Sequence, residues 1–201
     1  MNYSLARLAA SRYQLRMQGP CYSVNWMATL SASLSALRVG VVEASVVCEE
    51  AHSWNAEFVL DFRRSQVRAE ALDYVALTQR KPTSVITEAP QLQRFVLVQR
   101  KDSTIKVMVD AEDYGGFQER FLARVAGLGL YPVEMKIRRN GPSIRTSFAL
   151  RGIGGRAPAD EAVGAMESLL RRMQVRRDDL PAVTIKVVAL ADLYVNQEAS
   201  A

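Results

Sequence analysis

The sequence has little of what metal sites and histidine-based catalysis require. Its 201 residues include two cysteines, Cys21 and Cys48, and a single histidine, His52. The cysteines fall in different predicted elements without metal-ligand spacing, so we interpret them as free thiols in a reducing compartment. One histidine in a predicted loop does not support a zinc site or a Ser-His-Asp triad. We therefore predict no metal, no cofactor and no catalytic residues.

Long apolar runs and early acidic residues are also missing. No stretch approaches the ~18–20 apolar residues of a transmembrane helix, and the first acidic residue is Glu43. An acid-free start can mark a transit peptide, but a predicted strand already begins near Tyr13. We predict a cytoplasmic protein without membrane contact. With 49% apolar residues and a net charge of +5, the chain can form two cores of roughly 90–100 residues each.

What the sequence does contain is an internal repeat at a distance of about 91 residues. Residues 42–46 match 133–137, and residues 58–60 match 148–150 at an offset of 90. A duplication explains the shared order and periodicity better than chance. We predict two domains, residues 1–101 and 102–201. In the helical stripe that precedes these strands, the matching pairs are Trp26 and Phe117, Leu30 and Phe121, Leu34 and Val125, Leu37 and Leu128, and Val39 and Leu130.

The hydrophobic pattern of each half predicts the element order β-α-β-β-α-β. Strands show period-two alternation and helices show apolar residues every three or four positions. This order gives an antiparallel sheet with both helices on one face. The predicted fold is an α/β (α+β) sandwich of two tandem ferredoxin-like units. The strands are predicted at residues 13–18, 41–47, 57–62, 95–98, 105–110, 131–138, 144–150 and 184–188, and the helices at 26–37, 67–75, 116–128 and 162–173.

Both halves resemble the ACT domain, a small regulatory ligand-binding module. The resemblance covers about residues 13–190 and is carried by residues 37–47 (LRVGVVEASVV) and 128–137 (LGLYPVEMKI), each followed by another apolar strand. In that family, the loop after the first strand often has the pattern Asp-x-x-Gly-Leu. Residues 113–117 (DYGGF) match it fairly well, whereas residues 22–26 (YSVNW) lack both the Asp and the Gly.

The loop at residues 113–116 is the strongest candidate for a ligand site. A helix start offers free backbone N–H groups, and two glycines let a carboxylate approach them closely. Asp113 could receive an ammonium group, or it could simply cap the helix beside a glycine turn. By analogy with the family, the start of the next strand in a neighbouring unit completes the pocket. The candidate ligand residues are Asp113, Tyr114, Gly115, Gly116, Tyr131, Val133 and Glu134, with Tyr22, Ser23, Asn25 and Val42 as weaker candidates.

The resemblance implies a non-enzymatic regulatory protein, including regulators of transcription. The implied partners are an amino acid or similar small ligand and a regulatory protein, and a homodimer is left open. Basic clusters such as Arg63-Arg64, Arg138-Arg139 and Arg171-Arg172 raise the question of nucleic acid. The third predicted strand of each half lacks the exposed aromatic pair that RNA-binding modules of this fold carry. Acidic residues also alternate with the basic ones. We expect solvated or ion-paired faces and no direct nucleic-acid binding.

Two other function classes remain open. Duplicated ferredoxin-like units also form enzymes or biosynthetic accessory proteins that use the open face of the sheet as a cleft. Polar residues converging on that face would favour this alternative, whereas an apolar or domain-packed face would favour a sensor. The missing Asp and Gly in the first loop would also fit a purely structural assembly module. Fold alone does not decide among them.

Overall fold

The computed structural model describes residues 1–20, 25–49, 53–79, 90–99, 103–112 and 117–174. The predicted strand at 184–188 lies outside these residues. The strands are β1 (Asn2–Ala9), β2 (Arg12–Pro20), β3 (Gly40–Cys48), β4 (Ser53–Asp61), β5 (Leu92–Gln99), β6 (Ile105–Glu112), β7 (Leu130–Asn140) and β8 (Ser143–Gly152). The α-helices are α1 (Trp26–Ala36), α2 (Tyr74–Leu77), α3 (Phe117–Ala126) and α4 (Asp160–Met173).

The eight strands of the described residues form one sheet in the order β1-β2-β4-β3-β7-β8-β6-β5, and every neighbouring pair is antiparallel. The helices cover one face, where α1 contacts both α2 and α3. The predicted α+β fold of two tandem ferredoxin-like units is therefore confirmed. The opposite face of the sheet carries the exposed and half-exposed strand residues.

The core lies between the sheet and the helices, because alternate strand residues point to that side. The buried side chains of both halves merge into one cluster. Phe121 of α3 stacks on Phe148 of β8 with ring centroids 5.0 Å apart. In α1, Trp26 meets Trp54 edge-on at 5.5 Å. One buried row crosses the sheet through Leu15, Phe58, Ala44, Ile137, Thr146, Val109 and Phe95.

The order of elements within each half differs from the prediction and is β-β-α-β-β-α. The edge strand β1, which the sequence did not predict, forms a hairpin with β2. Likewise β5, predicted as the last strand of the first half, pairs with β6. The bounds Asn2–Ala9 and Leu92–Gln99 differ by 90 residues, so β1 and β5 are repeats of each other. The predicted division after residue 101 falls between the two strands of the β5–β6 hairpin.

The second helix, predicted from a stripe that begins at Val67 and stops before Lys81-Pro82, starts later than predicted. A single 3-10 turn at Ala69–Ala71 is followed by the short helix α2. The Asp73 carboxylate accepts hydrogen bonds from the backbone N–H groups of Val75 and Ala76, both at 3.0 Å. This cap fixes the helix start six or more residues later than the apolar spacing suggested. Val67, the first residue of the supposed stripe, is 37% exposed.

Candidate functional site at the seam between the repeats

The two halves meet where β3 pairs with β7, and we call this pairing the seam. It runs antiparallel from Glu43 opposite Arg138 to Val47 opposite Glu134. On the covered face, α1 contacts α3 across the same line. Each strand has a register shift where it enters the seam. The shift lies at Val42 in β3 and at the equivalent residue, Val133, in β7. The seam therefore has two ends, and both halves contribute to each.

One end, the Gly40 end, contains Gly40, Val42, Asp61 and Arg139. A Cβ added to Gly40 would lie 3.0 Å from Arg139 Nη1, so the glycine leaves room for a guanidinium group from the other half. Asp61, opposite Gly40, accepts hydrogen bonds from the backbone N–H and Nε of Arg63 at 3.0 and 2.8 Å. Burial alone would raise the pKa of the Asp61 carboxyl, but the Arg63 bonds hold this pKa below its usual value.

Strand β6, after which the ligand loop at residues 113–116 was predicted, ends at this end of the sheet. Its last residue, Glu112, is opposite Ser143, which in turn is opposite Asn140. Arg138, two residues before Asn140, is opposite Glu43 near the start of β3. The loop residues Asp113, Tyr114, Gly115 and Gly116 themselves lie outside the described residues.

The other end, the Tyr131 end, contains Asn25, Trp26, Cys48, Tyr131 and Arg151. Tyr131 is opposite Arg151 in the sheet. Burial raises the pKa of the Cys48 thiol, and the nearby positive charge of Arg151 opposes that increase. Within the part of the chain that the structure describes, the buried Trp26 Nε1 and Arg151 Nε have no hydrogen-bond acceptor. Such donors gain free energy when an acceptor, for example a carboxylate oxygen, reaches them.

The predicted site residues are thus divided between the two ends. Asn25, Tyr131, Val133 and Glu134 belong to the Tyr131 end, and Val42 belongs to the Gly40 end. The weaker candidates Tyr22 and Ser23, which directly precede α1, lie outside the described residues. Because the seam is antiparallel, strands β2 and β6, which precede the two predicted loops, each end on the same side of the sheet as the strand start of the opposite half.

A third feature, which the sequence analysis missed, lies on the open face of the sheet between the two ends. A depression of about 280 Å³, here called the seam groove, is lined by residues of β3, β4 and β7. The side chains that line it on the open face are Glu43, Ser45, Glu57, Val59, Lys136 and Arg138. Only the β3–β7 register brings these distant residues together. The single signal in the sequence was the run of polar residues at alternate strand positions.

The remaining sequence candidates do not form sites among the described residues. Arg63 makes an ion pair with Asp61 at 2.6 Å, and Arg171 with Glu167 at 2.9 Å. Glu57 and Asp61 share one face of β4 but lie about 13 Å apart at the usual strand rise. In the described ranges, no group of three His, Cys, Asp or Glu side chains could hold a metal ion. Across those same ranges, every helix is too short or too polar for a membrane span.

Comparisons with known proteins identify no family. No protein-family model matches the sequence, and no curated protein matches it significantly. Among solved structures, an aspartate kinase from Synechocystis is similar with a TM-score of 0.44 and 13% identity, over 81% of this chain and 27% of the kinase. An unknown protein from Galdieria sulphuraria is similar with a TM-score of 0.27 and 13% identity, over 81% of this chain and 92% of that one. The chain thus spans about a quarter of the kinase's length, and these similarities concern the backbone alone.

Proposed function

We propose that the protein is a non-enzymatic regulator that binds an amino acid at the ends of the seam and acts through contacts with another protein. The main support is the side-by-side pairing of the two repeats, since at each end of the seam one half has the end of a strand that precedes a predicted loop and the other half has a strand start. The resemblance to the ACT domain supplies the ligand class. Residues 109–125 are the part of the chain that most resembles the second repeat of the glycine cleavage system transcriptional repressor, so we take glycine as the first ligand to test.

The Gly40 end suits the two charges of an amino acid. The guanidinium of Arg139 has five N–H donors and can serve a ligand carboxylate in addition to its contacts within the protein. Asp113 would receive the ammonium group, and Gly115 and Gly116 would allow close approach to the backbone. Binding there would involve both halves at once, so it would stabilise the seam and the surface that a partner protein contacts.

Thermal unfolding in the presence of free amino acids at millimolar concentration tests this proposal. A ligand at one hundred times its Kd stabilises the native state by about 2.7 kcal/mol, which for a chain of this size raises the Tm by about 5–10 °C. Asp113→Ala and Gly116→Val should abolish the rise. Asp160→Ala, which removes an exposed acid at the start of α4, is the matched control and should retain it. No rise with any amino acid would contradict the proposal.

The seam groove supports a second candidate from a different class, a biosynthetic accessory protein or an enzyme with a cleft on the open face. Polar side chains of three strands converge there, as that alternative requires. Incubation with a mixture of small metabolites, followed by mass spectrometry, separates the two candidates. Consumption of a metabolite by the native protein, but not by a Glu57→Gln variant, would favour an enzyme. An unchanged mixture would favour the regulator.

A further inference from the structure

We propose that the seam groove is a separate binding site for an amino dicarboxylate, a ligand of the L-glutamate or L-aspartate type. This inference does not rest on ligand binding at the ends of the seam. It rests on the register of the sheet, on the ion pairs around the groove and on the groove's size.

The two walls of the groove carry opposite charges. Glu43 and Glu57, from β3 and β4, form the wall that belongs to the first half. Lys136 and Arg138 of β7 form the opposite wall. A ligand with an ammonium at one end and carboxylates at the other matches this polarity.

Among the described residues, the charged side chains that face each other across the seam do not form ion pairs with one another. Glu43 is directly opposite Arg138, a position where side chains of opposite charge usually interact across about 5 Å. Within the described ranges, no ion pair or side-chain hydrogen bond joins Glu43 to Arg138 or Lys136. The depression lies between these side chains. A ligand bound in it can therefore form ion pairs with the acid on one wall and with the cations on the other.

The surroundings of Arg138 leave its charge uncompensated. Its neighbour on the other side is Arg145, another cation. The acid of that row, Asp110, accepts from Arg145 Nε at 2.7 Å and from Arg94 Nη2 at 2.8 Å. These bonds hold the pKa of the Asp110 carboxyl below its usual value, against the opposing effect of burial. One carboxylate thus serves two arginines, and Arg138 lies outside that arrangement.

The charge balance and the volume define the ligand. Glu57 is already engaged by Arg16 at 3.8 Å and by a hydrogen bond from Gln14. Of the described residues that line the groove, the charged side chains that remain without an ion pair are one acid, Glu43, and two cations, Lys136 and Arg138. They favour a ligand with one ammonium, to pair with the acid, and two carboxylates, to pair with the cations. At about 280 Å³ the groove is slightly smaller than the ~300–1,000 Å³ of typical ligand pockets. A small amino acid fits within this volume, and Val59 offers an apolar contact for methylene groups.

Calorimetric titration of the full chain tests this assignment with a series of matched compounds. L-Glutamate or L-aspartate should bind about tenfold more tightly than glutarate, which lacks the ammonium, and than L-glutamine, which lacks the second carboxylate, because a hydrogen bond to a charged group contributes at least about that factor. L-Lysine should bind more weakly than either acidic amino acid. Glu43→Gln should remove the preference over glutarate. Lys136→Gln and Arg138→Gln should each weaken L-glutamate binding by about tenfold.

Two controls distinguish this site from the rest of the molecule. Arg172→Gln removes an exposed cation on α4 and should leave the affinity unchanged. All titrations are repeated in an Asp113→Ala background, which removes the binding proposed at the Gly40 end, and the groove should still bind L-glutamate there with the same selectivity. In NMR spectra, the backbone amide signals of Ser45 and Val59 should shift on titration. The proposal is overturned if neither acidic amino acid binds in the Asp113→Ala background, or if binding there survives all three groove substitutions.

Discussion

The two ends of the seam occupy equivalent positions in the repeat but differ in chemistry. The Gly40 end combines a glycine, a guanidinium group and an ion-paired acid, whereas the Tyr131 end combines an aromatic ring, a thiol and buried N–H donors. Duplication has thus preserved the geometry while the side chains diverged. A ligand at one end does not imply the same ligand at the other. The equivalent pairs are Gly40 and Tyr131, Cys48 and Arg139, and Asp61 and Arg151.

The largest expected effect concerns the core that both halves share. Phe121 and the equivalent Leu30 are 0% and 1% exposed, and Phe121 stacks on Phe117 and Phe148. Phe121→Ala should lower the free energy of unfolding by about 3–5 kcal/mol, and Leu30→Ala by about 2–5 kcal/mol. Because the halves share one sheet and one core, each variant should shift a single urea unfolding transition. Two separate transitions, with only one shifted by each variant, would contradict a shared core.

A smaller effect concerns Asp61 of the Gly40 end, whose equivalent at the Tyr131 end is Arg151. The folded-state pKa of Asp61 is lowered, so its ionised form stabilises the fold above pH ~4, the usual aspartate pKa. This stabilisation is lost as the pH falls through the folded-state pKa. Asp61→Asn should cost about 1 kcal/mol at pH 7, since the Arg63 partner is solvent-exposed. Denaturant unfolding should show this difference disappearing below pH ~4.

The equivalent residue at the other end provides the comparison for that experiment. Arg151→Gln removes a cation rather than an acid. The stability that it costs should therefore not disappear below pH ~4, where the Asp61 carboxylate becomes protonated. If Asp61→Asn were equally costly at pH 7 and at pH 3, the ion pair with Arg63 would not be the source of the stabilisation.

The smallest effect concerns the thiol of the Tyr131 end. Burial raises the pKa of the Cys48 thiol, and the positive charge of Arg151 makes this increase smaller. Arg151→Gln should therefore raise this pKa further and slow alkylation of Cys48 by iodoacetamide a few-fold at pH 8, because the thiolate is the reacting species. The measurement requires a Cys21→Ala background. Faster alkylation would show that access, rather than charge, governs the thiol.

The sequence was sufficient for the elements with strong periodicity. The stripe from Trp26 to Leu34 predicted α1, and the equivalent stripe from Phe117 to Val125 predicted α3. Strand β1 was missed because all but one of its residues are exposed, so burial left no alternating pattern. The short helix α2 was misplaced because a local cap at Asp73, rather than apolar spacing, decides where it starts.

The site could be predicted only in part, because pairing across the sheet is not written in local spacing. The resemblance to the ACT domain indicated that a strand start in the neighbouring unit would complete each pocket, and the seam supplies such a neighbour. The seam groove depends on Glu43 facing Arg138, residues that are 95 positions apart in the sequence. No periodicity in either strand predicts that register.

The central claim is that one ligand contacts both halves at an end of the seam. An NMR titration with the amino acid that gives the largest rise in Tm tests it most directly, through the backbone amide signals of Val42 in the first half and Phe117 in the second. We expect both signals to shift with one common Kd, and Asp113→Ala to abolish both shifts. Shifts confined to one half, or with two different Kd values, would contradict it.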